Sequence, residues 1–477
     1  MIRGLPLVAV IVVAGCMSTI RTAREAQKGV RDRADDAVVS DSGDCALDFG
    51  SMSLRGFVDF ALTNRPSVVE AALAVADARL ALRQIAADAP LLSDRPFEAS
   101  HLSLGGGYDA SSRRASRAEN VGWRTDGGSS AALSLDLLIW DWGRYGAAAR
   151  QKSEEVLAAE QGLADARYAV FEDVSSAYFT LLENNALLEV AWTNENLSAE
   201  YLRRAEARLE AGEVNRLDVV KARLALCEAQ ERTVSASNGV STAASSFVQA
   251  IGLDPSQVAR GRVAALGSGQ LSTVVRGFPD TEFTSAEAFD DAKTNAPVLR
   301  IVRARLRGAS ASVDYAIADL KPSVTASASL NWTDPLWMWR WGASGAQTLF
   351  QGFRKVTAVD RAVVAMQSAA AAVDREERAV CTEVDNAVAV RDNAREARRT
   401  AQASVEQAKE NLDLVTEQYG VGDVSRVEFT TAISQYASAL GNRVGAFYRG
   451  QRAEAAIFRL LGRIPDYREE KISEVGK

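Results

Sequence analysis

The sequence predicts a mainly α-helical protein with a membrane β-barrel segment, built from two copies of one domain. Three observations predict this fold class. A motif at residue 212 returns 210 residues later, and two long tracts contain no proline. In addition, the segments ahead of these tracts alternate between apolar and polar residues and hold most of the tryptophans. Long unbroken helices next to alternating strands indicate a protein that crosses a membrane and extends far from it.

The internal repeat has a long period. The segment 212–218, GEVNRLD, returns as 422–428, GDVSRVE, at an offset of 210. Upstream, 63–66 (TNRP) matches 294–297 (TNAP) at an offset of 231. Repeats of solenoid proteins have periods of roughly 20–50 residues. The much longer period here therefore indicates a duplicated domain with two pseudo-symmetric halves.

Two proline-free tracts predict long helices. No proline falls within 144–251 or within 354–461, and a proline inside a helix costs about 3 kcal/mol. Each tract is interrupted once, by Gly212 and by Gly422, because glycine past a helix end adopts the left-handed conformation easily. A helix of each long tract is about 100 Å long, so these helices must pack side by side. The predicted helices are 144–211 and 215–252 in the first half, and 353–419 and 425–461 in the second.

A strand hairpin is predicted ahead of each long helix, at about 97–140 and about 322–350. Apolar residues alternate with polar ones along 324–333 and 133–139, and seven of the eight tryptophans lie in the two hairpin regions. An amphipathic hairpin on a soluble core would also alternate, but clustered tryptophans favour a membrane. Each half supplies one hairpin, and four strands cannot close a barrel. Because an open sheet edge is not tolerated in lipid, the chain is expected to oligomerise.

The N-terminus resembles a lipoprotein signal. Arg3 is followed by a short apolar run that ends in Val-Ala-Gly before Cys16. Small residues before a cysteine suit the lipoprotein signal peptidase, and the run is too short to span a bilayer. We expect 1–15 to be removed and Cys16 to carry lipid such as palmitate; an ordinary secretory signal is the alternative. Met17, in place of an aspartate, permits export of bacterial lipoproteins to the outer membrane.

The remaining domain bounds follow from these signals. The polar residues after the signal read as a tether, which contains Cys45, a cysteine with no evident role. The expected order is a tether at 16–50, a first repeat at 51–252, a linker at 253–283, a second repeat at 284–464 and a tail at 465–477.

Composition argues against several classes of function. The net charge is −7 and no basic stripe dominates, so nucleic acid is not an expected partner. The single histidine, His101, and four widely spaced cysteines offer no metal-ligand spacing and no nucleophile–base pair. No catalytic residue, cofactor or metal is therefore expected. His101 is interpreted as a residue of the strand wall, and Trp192 as a residue packed in a helical core.

Four motifs resemble those of the TolC outer-membrane efflux protein family, including its lipidated members, over roughly residues 52–465. The segment 61–66, ALTNRP, resembles the AL-x-N-x-P start of the family. The segment 350–354, FQGFR, resembles the LF-x-GG-x-R motif after the hairpin, and 140–144, WDWGR, is its counterpart. The segment 417–422, EQYGVG, resembles the Y-x-x-G helix tip. Their order and spacing together are specific.

This resemblance implies a homotrimer. Twelve strands, four from each chain, would form one barrel in the outer membrane, and the helical hairpins would form a long α-helical tunnel across the periplasm. A periplasmic adaptor and an inner-membrane pump would dock at the far end. The protein would be a passive exit duct and not an enzyme.

The resemblance also makes the hairpin tips the periplasmic gate. Glu428 matches the first acid of the family's constriction, whereas Thr431 stands where a second acid is usual. Asp218 matches the acid of the first tip, and Tyr419 matches its hydroxyl partner.

An arginine near the tip is expected from the family but is replaced by Val424. Arg216 or Arg426 is a possible substitute. Asp218 and Glu428 also stand three residues after a polar residue, as in a capping box, so helix capping is an alternative role for both.

Three functions fit the sequence to different degrees. The first is an exit duct for small-molecule or metal efflux, and the second is the outer-membrane channel of type I protein secretion. The third is a structural coiled-coil scaffold, which leaves the signal and the tryptophan-rich strands without a role. The expected lipid anchor resembles family members that work with proton-driven pumps, which favours efflux.

Overall fold

The computed structural model describes residues 21–28, 53–86, 100–117, 120–212, 215–253, 278, 283–333, 336–347, 351–421, 424 and 426–464. Cys16, Cys45 and most of the linker lie outside this part of the chain. After a helical stretch at 21–28, the first half contains α1 Leu54–Asn64, α2 Pro66–Ala86, β1 Ser100–Arg117, β2 Asn120–Trp140, α3 Arg144–Glu210 and α4 Arg216–Ile251. The second half contains α5 Ser285–Asn295, α6 Pro297–Ala318, β3 Ser323–Thr333, β4 Leu336–Ala346, α7 Arg354–Val421 and α8 Arg426–Leu460.

The two long helices dominate the molecule. Helix α3 has 67 residues and α7 has 68, so each is about 100 Å long. The four helices of the hairpins begin and end within two residues of the predicted positions. The fold class predicted from the sequence is confirmed.

Local sequence explains the turns between helices. Gly212 has φ 75°, a left-handed conformation that glycine adopts without a Cβ clash, and α3 ends there. Pro66 and Pro297 are the first residues of α2 and α6. Proline suits this position because the first helical N–H has no partner inside the helix. The matched TNRP and TNAP segments are therefore two copies of one helix–turn–helix.

The strands form one antiparallel sheet in the order β1-β2-β3-β4. The register aligns Leu133 with Leu330 and Leu330 with Trp339 on one face. The opposite face carries polar residues such as Ser134, Ser329 and Arg340. His101 lies opposite Asp136 in the β1–β2 register, within the wall of the sheet.

The first hairpin is longer than the second. Strand β1 has 18 residues and β2 has 21, whereas β3 and β4 have 11 residues each. Only Ser130–Trp140 of β2 pairs with β3, so the outer part of the first hairpin pairs within itself. Because β1 and β4 each lack a neighbour on one side, the sheet of a single chain is open.

Each long helix changes partners along its length. Helix α3 contacts α2 and α6, which lead into the strands, and it contacts α4 and α8 nearer the hairpin tips. Helix α7 contacts α6 and α8. One cluster of buried apolar residues joins α1, α3, α4 and α8. Phe278 of the predicted linker is buried in it against Phe171, Phe179 and Phe458.

The structure differs from the expectation for Trp192, and it contains two free cysteines among the described residues. Trp192 was expected in a core, but 47% of its surface is exposed, so that expectation is wrong for the single chain. Cys227 and Cys381 are free cysteines.

Candidate functional site at the hairpin tips

The two acids singled out from the sequence occupy equivalent places. Asp218 is the third residue of α4 and Glu428 is the third residue of α8. The Asp218 carboxylate accepts a hydrogen bond from the backbone N–H of Asn215 at 3.3 Å, so it caps the start of its helix. Glu428 is exposed in the first turn of α8, where a negative charge interacts favourably with the helix dipole.

The other residues predicted to form the gate differ in their exposure and in their hydrogen bonds. The Thr431 hydroxyl donates to the carbonyl oxygen of Val427 at 2.7 Å, so it is engaged with its own helix. Arg216 is exposed at the start of α4, and Val424 is half-buried. Arg426 is the first residue of α8, but its side chain lies outside the described part. The structure places all of these residues at the two tips.

The ring of Tyr419 makes the contacts that the structure shows for this side chain. Only 6% of the residue is exposed. Its ring stacks on Phe429 with centroids 4.7 Å apart and planes 11° apart, and Tyr201 packs edge-on at 6.1 Å. These three rings come from α7, α8 and α3. Tyr419 therefore helps to hold the two hairpins together, whereas its pairing with Asp218 stays a prediction.

Arg208 is a tip residue that the sequence reasoning missed. Its guanidinium carbon lies 5.1 Å from the centre of the Tyr419 ring, and its Nη1 donates to the Tyr419 carbonyl oxygen at 3.3 Å. Carbonyls in the last turn of a helix lack helical partners and carry partial negative charge. An arginine of α3 thus caps the end of α7. One feature of the sequence could have identified Arg208: it follows Tyr201 by seven residues and therefore lies on the same face of α3.

The tips also carry charged contacts within the first hairpin. Arg223 of α4 pairs with Glu206 of α3 at 2.9 Å. Hydrogen bonds from Arg203 and Arg204 lower the pKa of Glu200 below its usual range. These groups are largely exposed, so the pairs add little stability. Within the described residues, no three His, Cys, Asp or Glu side chains cluster closely enough to hold a metal ion.

The class of protein follows from the combined geometry. Two helical hairpins about 100 Å long extend from one end of an open, four-stranded sheet that has an apolar face. This arrangement is typical of an outer-membrane channel with a helical extension. The chain belongs to the outer membrane efflux protein family, whose profile matches residues 58–253 and 288–463. The two matched segments are the two repeats.

Several solved structures have a similar fold. The outer membrane protein VceC from Vibrio cholerae matches with a TM-score of 0.70 at 18% identity, covering 86% of this chain and 96% of VceC. A membrane protein from Pseudomonas aeruginosa gives 0.73 at 20% identity, covering 88% and 97% of the two chains. The CmeC outer membrane channel from Campylobacter jejuni gives 0.70 at 17% identity, covering 87% and 86%. No curated protein sequence matches this chain.

Family membership determines the broad class of function. Proteins of this family are outer-membrane channels through which solutes pass, and they are not enzymes. The protein is therefore a passive channel of the outer membrane that extends into the periplasm. This excludes the scaffold considered from the sequence.

Proposed function

We propose that this protein is the exit duct of a tripartite efflux system. It would dock a periplasmic adaptor and an inner-membrane pump at its hairpin tips. The observation that supports this proposal is the pair of helical hairpins about 100 Å long, which are attached to the membrane strands at one end and free at the other. A duct of this length bridges the periplasm, while the pump supplies energy and selects the substrate.

A homotrimer is supported by two unpartnered surfaces of the single chain. The outer edges of β1 and β4 are open, and an open edge is not tolerated in lipid. An 18-residue stretch of α7 has mean hydropathy 1.2, and none of it is buried within the chain. Neighbouring copies would cover this helix and complete a twelve-stranded barrel. Mass measurement of the protein in detergent should give three chains, and a stable monomer with folded strands would contradict the proposal.

Docking at the tips is supported by exposed aliphatic side chains. They lie on the first turns of α4 and α8 and near the end of α7: Leu217, Val220, Leu224, Leu414 and Val427. Apolar groups grouped at the free end of a long element mark an interaction surface. Such a surface suits the tip of a helical adaptor.

Glu428 would line the closed periplasmic end. Three copies would place three carboxylates around the axis, and an acidic ring favours cations. Glu428→Gln should lower cation preference in single-channel recordings, with a stability loss of about 0.3–1 kcal/mol from the weaker helix-dipole interaction. Thr431→Val, which changes no charge, is the matched control. Unchanged ion selectivity in Glu428→Gln would identify Glu428 as a capping residue alone.

The links between tips would set the resting conductance. Asp218→Ala and Tyr419→Phe are expected to raise it by loosening contacts at the closed end. Arg208→Gln should raise it as well, because it removes the cation–π contact and the guanidinium hydrogen bond that Arg208 of α3 makes with the end of α7. Arg216 and Arg426 are further cations at the tips, and their glutamine variants should have smaller effects.

A lipid anchor on Cys16 is proposed from the sequence alone. Mass spectrometry of the mature N-terminal peptide tests it, and an unmodified Cys16 or cleavage elsewhere would overturn it. Cys16→Ser is expected to leave insertion intact, because the barrel also holds the protein in the membrane.

Efflux and protein secretion are separated by one transport experiment. A strain that lacks its own exit ducts is supplied with this protein and its neighbouring pump and adaptor genes. Efflux predicts lower accumulation of a fluorescent dye or metal ion and no change in secreted protein. Secretion of a polypeptide without any change in small-molecule accumulation would favour type I secretion.

A further inference from the structure

Trp140 lies on the apolar face of the sheet at its tunnel end. It pairs with Val324 across a bulge in β2, on the same face as Leu137 and Ala326. Farther along this face, Trp341 is 86% exposed, and the opposite face carries mainly polar residues, among them Thr325, Ser329 and Arg340. A membrane sheet turns its apolar face to lipid. Trp140 therefore marks the lipid boundary nearest the periplasmic helices.

A second tryptophan is held against it in an unusual backbone conformation. Trp142 has φ 57°, a left-handed conformation that is strained for a residue with a Cβ. Its ring packs edge-on against Trp140 at 6.1 Å, yet about half of each residue is exposed, 48% for Trp142 and 49% for Trp140. Exposed tryptophans at this level of a membrane protein suit the headgroup region.

A lysine completes this cluster. The Lys321 ammonium lies 5.4 Å from the centre of the Trp142 ring, at cation–π distance. Lys321 is exposed, and no described carboxylate lies within ion-pairing distance of it. Its charge is therefore available to a ligand.

Beside Lys321 is a cleft with excess positive charge. The cleft has a volume of about 180 Å³, and its cations are Arg144, Lys321 and Lys355. Asp319 pairs with both Arg144, at 3.0 Å, and Lys355, at 3.3 Å. The other acid, Asp141, is buried and accepts hydrogen bonds from the backbone N–H groups that begin α3. Three cations and two carboxylates therefore line the cleft, which leaves an excess of one positive charge.

The cluster lies away from the edges where neighbouring chains would join. Trp140 is on β2, and Lys321 immediately precedes β3. Both strands are internal and paired on both sides. Closure of a barrel through β1 and β4 would leave this region facing lipid.

We infer that Lys321, Trp142 and Trp140 form a binding site for the headgroup of an anionic glycerophospholipid in the periplasmic leaflet of the outer membrane. The phosphate would lie against Lys321 at the mouth of the basic cleft, and the tryptophan rings would contact the glycerol and upper acyl region. A basic residue close to an anionic membrane surface contributes about 1 kcal/mol of attraction. This inference depends on the outer-membrane location and not on the proposed pump or adaptor.

The test is native mass spectrometry of the purified full-length protein in detergent, titrated with phosphatidylglycerol or with phosphatidylcholine of the same chain length. Wild type should bind phosphatidylglycerol more tightly than phosphatidylcholine. Lys321→Gln should weaken phosphatidylglycerol binding about fivefold, the equivalent of one basic residue, and leave phosphatidylcholine binding unchanged. Lys321→Arg should retain the preference. Lys221→Gln, at an exposed lysine of α4 near the tips, is the matched control.

Three outcomes would overturn the inference. Lys321→Gln could bind phosphatidylglycerol like wild type, or Lys221→Gln could lose as much binding as Lys321→Gln. Alternatively, soluble glycerol 3-phosphate could displace the lipid at concentrations similar to those of the lipid itself, which would identify a phosphate site with no role for the membrane. Failure of efflux in the transport experiment would leave this inference untouched.

Discussion

The two repeats fill equivalent parts of their cores with different side chains. At the offsets of 231 and 210, Phe57, Tyr178 and Phe247 of the first repeat correspond to Ala288, Val388 and Ile457 of the second. All six residues are buried. Phe57 meets Phe247 edge-on at 5.1 Å and Tyr178 at 6.3 Å, whereas the second core is aliphatic.

The second repeat instead buries charged groups. Arg391 and Glu454 are 4% and 2% exposed, and their counterparts in the first repeat are Leu181 and Ala244. Arg391 donates to the carbonyl oxygen of Phe283 at 3.0 Å, and Glu454 pairs with Arg395 at 3.1 Å. One helix arrangement thus accepts either aromatic packing or small side chains with hydrogen-bonded charges. The duplication preserved helix pairing rather than core composition.

The largest expected effect is in the aromatic core. Phe57→Ala should destabilise the protein by about 4 kcal/mol, because it removes a buried ring and leaves a cavity. The free energy of unfolding is measured by urea denaturation with helix circular dichroism. Ala288→Phe, at the matched position, should cost about 1–3 kcal/mol through overpacking. Equal tolerance of both changes would show that the two cores are not packed differently.

The next effect concerns the buried ion pair. Glu454→Gln should cost about 3 kcal/mol, because it removes a carboxylate that is only 2% exposed and pairs with Arg395 at 3.1 Å. Glu396→Gln is the control, since its pair with Arg399 is exposed and should contribute under about 1 kcal/mol. A loss in Glu454→Gln no larger than in Glu396→Gln would contradict the role of this pair in the second core.

The glycines at the ends of the two repeats, Gly252 and Gly462, have different surroundings. Gly252 and Gly462 have φ 91° and 62°, so alanine is strained at both by about 1–2 kcal/mol. A Cβ on Gly462 would lie 2.9 Å from the Asn295 carbonyl oxygen, whereas one on Gly252 would meet the Arg65 side chain at 3.3 Å. Gly462→Ala should therefore have the lower thermal midpoint. The reverse order would mean that the backbone near Asn295 yields more easily than the arginine.

The smallest effect appears at alkaline pH. Burial raises the pKa of Tyr178 and of Tyr448 to about 12 from the usual 10. The unfolded chain releases these protons near pH 10, so the stabilisation is complete below pH 10 and is lost as pH rises through 12. At pH 11 each tyrosine should account for a loss of about 1 kcal/mol.

Phenylalanine variants test this assignment. Tyr178→Phe and Tyr448→Phe should each flatten the decline of unfolding free energy between pH 10 and 12. Both tyrosines belong to the aromatic core, so Val388→Ala, in the aliphatic core, should leave that slope unchanged. Parallel slopes for wild type and both phenylalanine variants would rule out the tyrosines as the source.

The sequence by itself determined the duplication, the two long hairpins and the strand regions. These features depend on local rules: proline is excluded from helix interiors, glycine ends helices, and alternation follows the two faces of a strand. Such rules act within a few residues, so they located Gly212 and the helix bounds closely. They also placed the capping acid Asp218 at the start of α4.

The tertiary structure alone decided which distant side chains meet. Arg208 and Tyr419 are 211 positions apart in the sequence, yet they are in contact. Whether a core is aromatic or contains buried charges likewise depends on residues from several helices at once. Trp192 was expected inside and lies exposed, because the period of a helix gives the direction of a residue but not whether a neighbour covers it. Burial is a property of packing, and packing joins residues that the sequence keeps far apart.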